Sequence, residues 1–146
     1  MPKFQGSGFS LELPGGTVDA SNYGFALPGH SGANPTLTIR VTKTPQADLG
    51  VIFDDAKRSL EQALTDFEVI SKGAFKRADR EYIVWVGEWG TAEARMRQKQ
   101  VLMFVTGNVP RLFTITATDL AKHFAQTEPL FDGVIRTFEP NDIQLM

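Results

Sequence analysis

Histidine, carboxylate and cationic side chains are where covalent or metal chemistry would start, and here few of them fall in useful spacing. His30 and His123 are the two side chains whose ordinary ionisation lies near neutral pH. One sits in a glycine-rich stretch and the other among Ala121, Lys122 and Phe124 on an expected helix, positions that suit solvated residues better than a metal pair. Asp54 and Asp55 are consecutive on an expected helix, so their carboxylates diverge and cannot share a proton. Arg95, Arg97 and Lys99 recur at every second position and line one strand face. That pattern would suit an anion, and equally the protection of an exposed strand end or edge. No H-x-x-x-H, G-x-S-x-G, phosphate-loop or dinucleotide-binding glycine pattern occurs. The absence of cysteine removes disulfides, thiolate nucleophiles and zinc-thiolate sites. No enzymatic role, cofactor or bound metal is expected.

The bulk properties narrow the partners. With 146 residues, 42% hydrophobic and 22% charged, the chain suits one domain over 1–146, with 139–146 as a frayed tail. A formal net charge of −2 argues against nucleic acid, whose binders carry basic stripes. The N-terminal residues lack the apolar core of a signal peptide, and no stretch approaches the roughly 20 apolar residues of a membrane span. The cytoplasm is the expected location, without stable membrane insertion.

Periodicity then says which elements must position any site. Phe9–Leu13 alternates and is broken by Pro14-Gly15-Gly16; Tyr23–Leu27 alternates again, before a loop over Pro28–Pro35. Thr36–Thr42 is the cleanest alternation, with Leu37, Ile39 and Val41 inward and the threonines with Arg40 opposite. Phe53, Ala56, Leu60, Ala63 and Leu64 recur at helical spacing, which predicts a helix over about 49–65 with Asp48 as its N-cap. Strands are expected at Phe67–Phe75, Glu81–Trp89, Arg95–Val105 and Leu112–Thr118, joined by short turns as in an antiparallel meander. A closing helix is expected with Thr127 as N-cap, Pro129 in its first turn, and Leu130, Phe131, Val134, Ile135 and Phe138 on its apolar face. Gly87 inside a strand marks a bulge or a close contact. The fold class is α+β: an antiparallel β-sheet of about six to seven strands flanked by helices.

The strands carry one anomaly. Tyr82, Val84 and Val86 alternate with Ile83, Trp85 and Trp89, and Val101–Val105 is apolar throughout, so these strands are covered on both sides. Either the helices cover both faces, or one face is only partly covered and receives a partner. Thr36, Thr38, Thr114, Thr116 and Thr118, with Gln98 and Gln100, argue against a wholly dry second face.

Asn34-Pro35-Thr36-Leu37-Thr38-Ile39, the helix that follows, Gly87-Glu88-Trp89, Arg97–Val101 and the closing Glu128-Pro129-Leu130-Phe131 … Ile135–Pro140 resemble the DcrB-related family, over Phe9 to Pro140. The resemblance implies a Mog1/PsbP-like fold. The short members without a leader are similar to the effector-associated (Eag) chaperones of bacterial type VI secretion. That likeness implies a homodimeric cytoplasmic adaptor. Its partner would be the N-terminal transmembrane helices of a secreted toxin, often one with a PAAR domain, shielded until loading onto the secretion spike. The expected groove residues are Tyr23, Phe25, Thr38, Leu64 and Gln100, with Ile39 and Trp85. Gln100 stands out, because an amide beside Val101 and Leu102 needs a partner. Two other roles remain open: a small-molecule carrier or enzyme with an enclosed pocket between sheet and helix, and a Mog1-like regulator that docks a folded protein on a polar face.

Overall fold

Each expected strand and both expected helices form in the computed structural model, which describes residues 3–6, 9–12, 22–27, 35–107 and 109–140. The elements are β1 (Lys3–Gly6), β2 (Phe9–Glu12), β3 (Asn22–Ala26), β4 (Thr36–Lys43), α1 (Leu49–Ala63), β5 (Glu68–Arg77), β6 (Arg80–Trp89), β7 (Met96–Val105), β8 (Arg111–Leu120) and α2 (Phe124–Thr137). The strand β1 was not expected; it pairs with β2 in a small two-stranded sheet. The other six strands form one antiparallel sheet in the order β3-β4-β8-β7-β6-β5. His30, the 28–34 loop, the 14–16 break and the tail beyond Pro140 lie outside the described residues.

Local chemistry explains the element ends. The Asp48 carboxylate accepts from the Val51 amide at 3.2 Å, which satisfies an orphan donor of the first turn of α1. The β5–β6 hairpin turns through Ala78 and Asp79, with Ala78 in the left-handed region at φ 54°. The Asp79 carbonyl is tied to the far end of β7 by the Thr106 amide and hydroxyl. Gly87 makes a close contact, since an added Cβ would stand 2.7 Å from the Trp85 ring and 3.1 Å from that of Phe67. The bulge lies opposite, on β5 between Val69 and Ser71.

Both helices cover the two-sided strands, one on each face. On one face α1 lays Leu49 and Phe53 over Ile83, Trp85, Leu102, Phe104 and Leu112. On the other, Phe131 of α2 is fully buried over Leu37, Val101, Met103, Phe113, Ile115 and Ala117. The indole of Trp85, also fully buried, meets the Phe53 ring edge to face at 5.4 Å.

Two expectations about charge and capping are corrected. The strand β7 lies at the middle of the sheet, so Arg95, Arg97 and Lys99 protect no edge. Arg95 precedes the strand and donates to Glu88 and Glu68, Arg97 donates to Glu88, and Lys99 donates to Glu128 and Asp132 of α2. Thr127 is not a cap. A 3-10 turn at Ala121–His123 leads into α2 three residues earlier, and the buried Thr127 hydroxyl donates to Asp119 of β8 instead. Pro129 therefore falls inside the helix rather than in its first turn. Of the expected frayed tail, Glu139 reaches Arg80 at 3.6 Å.

Candidate functional site

The two helices cover their faces unequally. On the α1 face, Thr36, Thr38, Arg40 and Thr42 of β4 remain exposed, and Thr114, Thr116 and Thr118 of β8 half-exposed. The register pairs Thr36 with Thr118, Thr38 with Thr116 and Arg40 with Thr114, so these side chains form one hydroxyl-rich floor. Asn22 and Gly24 of β3 extend it to the sheet edge. The result is an open concavity of about 390 Å³ bounded on its inner side by Gln100.

A hydrogen-bond chain anchors that inner wall. The buried Trp85 indole N–H donates to Gln100 Oε1 at 2.9 Å, and Gln100 Nε2 donates to Thr116 Oγ1 at 2.9 Å. An indole nitrogen can only donate, so it fixes which way the amide points. Gln100 keeps one N–H, and the Thr116 hydroxyl keeps its own proton, both available to a guest. Arg40, exposed, is the charged residue of the lining; its Nε donates to Asn22 Oδ1 at 3.3 Å. Among the described residues no carboxylate pairs with it.

The expected groove residues divide between faces. Thr38 and Gln100 line the concavity together. Trp85 lies beneath them, fully buried, and reaches the site through its bond to Gln100. Tyr23 and Ile39 also border the concavity, but Tyr23 and Phe25 pair with Ile39 and Leu37, whose side chains join the α2-side core, so all four side chains lie on the opposite face. There Tyr23 and Phe25 are 48% and 50% exposed. Leu64 ends α1 as its C-cap and is not part of the lining. Asn22, Arg40 and Thr114 are lining residues that had not been singled out for the groove; the alternation of Thr36–Thr42 already placed Arg40 on the threonine face.

A second open concavity, about 650 Å³, lies between the start of α1 and the β5–β6 edge. Lys72, with its ammonium 4.5 Å from the Phe53 ring centre, and the stacked pair Phe75 and Tyr82 stand along it. Among the described residues, no group of three or more histidines and carboxylates could hold a metal. The perturbed groups belong to structural ion pairs. Burial pushes the Glu88 carboxyl up, but the bonds from Arg97 and Arg95 outweigh it and hold the group below its ordinary value. Burial likewise depresses Lys99, and Asp132 and Glu128 more than reverse it, leaving the ammonium above its ordinary value. These pairs clamp β6 to β7, and β7 to α2.

The architecture has solved counterparts. PA94 from Pseudomonas aeruginosa, a protein of unknown function described as a candidate regulator, superposes with a TM-score of 0.73 at 17% identity, covering 97% of this chain and 98% of that one. Cyanobacterial PsbP (CyanoP) from Synechocystis gives 0.52 at 15% identity over 90% and 99% of the two chains. The chain has a PsbP-like fold. This is the antiparallel sheet flanked by helices that the sequence resemblance implied. LpqN, involved in cell envelope biogenesis of Mycobacterium tuberculosis, gives 0.56 at 16% identity, with 75% of this chain matched to 64% of that one. No protein-family model and no curated protein matches the sequence. Within this PsbP-like frame, no helix of the described residues is long and apolar enough to cross a membrane.

Proposed function

We propose that this PsbP-like domain is a non-catalytic, cytoplasmic adaptor of the effector-associated type, which shields an N-terminal transmembrane helix of a type VI secretion toxin in the groove beyond α1. The observation that carries the proposal is the hydroxyl-and-amide floor on a sheet face that α1 leaves open. Membrane helices that pack closely are rich in Gly and Ala, which leaves their backbone carbonyls approachable. Threonine methyls pack against such a helix while threonine hydroxyls and the spare Gln100 N–H donate to those carbonyls. A purely apolar groove would hold the same helix without register. The local sequence phrases that resemble the DcrB-related family support the same role.

Co-expression with a toxin segment containing one transmembrane helix tests this. The segment is expected in the soluble fraction as a complex, and Thr38→Glu, an exposed position on the floor, is expected to lower the yield at least about tenfold. A segment that stays insoluble with the wild-type chain sinks the role. The polarity of the floor and the exposed Arg40 favour a second role, docking of a folded protein by a polar face. That alternative predicts binding of a soluble folded client, with no gain in solubility for a transmembrane segment.

A further inference from the structure

The main sheet ends at β5, and from Ser71 to Arg77 this strand runs in unbroken register against β6, its bulge lying earlier, between Val69 and Ser71. Every residue of that stretch is exposed, and among the described residues no strand pairs with its outer side. A two-residue turn pairs Arg77 with Arg80, which directs the Arg77 amide and carbonyl inward, toward β6. Alternation then points the amides and carbonyls of Lys76, Ala74 and Lys72 outward. The side chains of these three residues also share a face. Ala74 pairs with Ile83 and Lys72 with Trp85, both in the core beneath α1, so all three stand on the α1 side.

The row carries a particular chemistry. Ala74 is a methyl between two ammoniums, and it opens on the concavity of about 650 Å³ whose lining includes Ala47, Leu49 and Ile83. Among the described residues no carboxylate pairs with Lys72, whose ammonium rests over the Phe53 ring. Lys76 meets Glu81 at 3.4 Å, but both side chains are exposed, and a pair of that kind contributes little and is open to exchange. On the reverse face Phe75, half-exposed, stacks on Tyr82. Lysines on an edge strand ordinarily discourage pairing. A guard alone needs neither a concavity behind the alanine nor an exposed ring beside it.

We propose that the outer edge of β5 takes an acidic, extended segment of a partner protein as a seventh, antiparallel strand of the main sheet. Carboxylates of that segment stand opposite Lys76 and Lys72, and a large apolar side chain stands opposite Ala74. The three outward pairs give about six backbone hydrogen bonds. The side chain opposite Ala74 falls on the α1 face, where the small methyl leaves it the way into the concavity. Residues opposite Phe75 and Gly73 fall on the reverse face, where a β-branched side chain packs on the Phe75 ring. Read along the partner, the motif is acid, β-branched, large apolar, any residue, acid. The same two lysines reject a strand that brings cations to them, so the edge is selective as well as guarded. This site lies at the sheet edge away from β3 and the threonine floor, and it stands whether or not the groove holds a membrane helix.

Fluorescence anisotropy of the labelled peptide Thr-Glu-Val-Leu-Thr-Glu-Thr against the full chain tests the edge. Saturable binding to the wild type is expected. Lys72→Glu should weaken it about tenfold, and a peptide with lysine in place of its second glutamate should recover most of that loss on the variant. Ala74→Pro removes an outward donor without touching the bonds to β6, and should abolish binding with unchanged far-ultraviolet circular dichroism. No saturable binding to the wild type up to about 1 mM, or equal affinity of wild type and Lys72→Glu, overturns the proposal. Binding that Lys72→Glu weakens but Ala74→Pro leaves intact is a charge contact without strand addition, and overturns it too. A wild type that sediments at twice its 16.1 kDa chain mass, and returns to once that mass when peptide is added, assigns the edge to a second copy instead.

Discussion

Gln100 was expected to wait for a guest, yet one end of its amide already serves the core, and this yields a sharp energetic expectation. The Trp85 indole is fully buried and its N–H has Gln100 Oε1 as its partner at 2.9 Å. Gln100→Leu keeps the bulk of the side chain and removes that acceptor, so a buried donor is left unpaired. The cost of such an orphan is about 1–3 kcal/mol. The second bond of the amide, to Thr116, adds little, because Thr116 borders the open groove where water replaces the lost partner. A net loss of about 2 kcal/mol corresponds to a fall in melting temperature of roughly 4–8 °C for a chain of this size. Urea unfolding of wild type, Gln100→Leu, Trp85→Phe and the double variant measures it as a cycle. Trp85→Phe alone is costly through the cavity it opens, but in that background Gln100→Leu orphans nothing and should cost about 1–2 kcal/mol less than in wild type. If Gln100→Leu costs the same in both backgrounds, the Trp85–Gln100 bond does not stabilise the fold. The wall of the groove would then be an ordinary surface amide.

Three further expectations follow from geometry elsewhere in the sheet. Gly87→Ala would drive a methyl to 2.7 Å from the Trp85 ring, so it should destabilise by about 1–3 kcal/mol in the same urea assay. Ala78→Gly has the opposite sign: at φ 54° the alanine is strained, and relief should raise stability by about 0.5–1 kcal/mol despite the greater freedom of the unfolded chain. Glu88 lies below its ordinary carboxylate value when folded, so the stability it contributes is complete above about pH 4.3 and fades as pH falls through the lower folded value. Glu88→Gln should therefore cost about 1–3 kcal/mol at pH 7 and flatten the acid limb of a melting-temperature profile, which the wild type should retain.

Much of this fold is written in period-two and period-3.6 patterns. The threonine alternation of β4, the apolar runs of β6 and β7, the Asp48 cap and the Gly87 contact are all local signals, and each corresponds to what forms. What failed is non-local. Thr127 has the chemistry of a cap, but a carboxylate on β8, eight residues back, claims its hydroxyl. The cations of β7 look like edge guards until the strand order puts β7 in the middle. The division of the expected groove residues was half legible. Thr38 and Ile39 are neighbours on one strand and cannot share a face. That Tyr23 and Phe25 side with Ile39 needed the β3–β4 register, which no local pattern encodes.

The unequal cover of the sheet has a physical cause that bears on function. On the α2 face, charges reinforce apolar burial: Lys99 reaches two carboxylates of α2, and Thr127 reaches Asp119, so the helix is held at both strands β7 and β8. Such bonds fix position more than they add stability, because ionic groups give back much of their attraction in lost hydration. On the α1 face the helix is held by Leu49 and Phe53 over β6, β7 and Leu112 at the start of β8, and none of the side-chain hydrogen bonds described ties α1 to β4 or β8. The threonines there offer a helix no apolar stripe to bury, so covering them with α1 would strand their hydroxyls against leucine and phenylalanine. A guest that brings its own acceptors removes that penalty. On the role proposed above, the same residues that keep α1 off the outer strands would favour a polypeptide with accessible carbonyls over a second apolar helix of the chain itself.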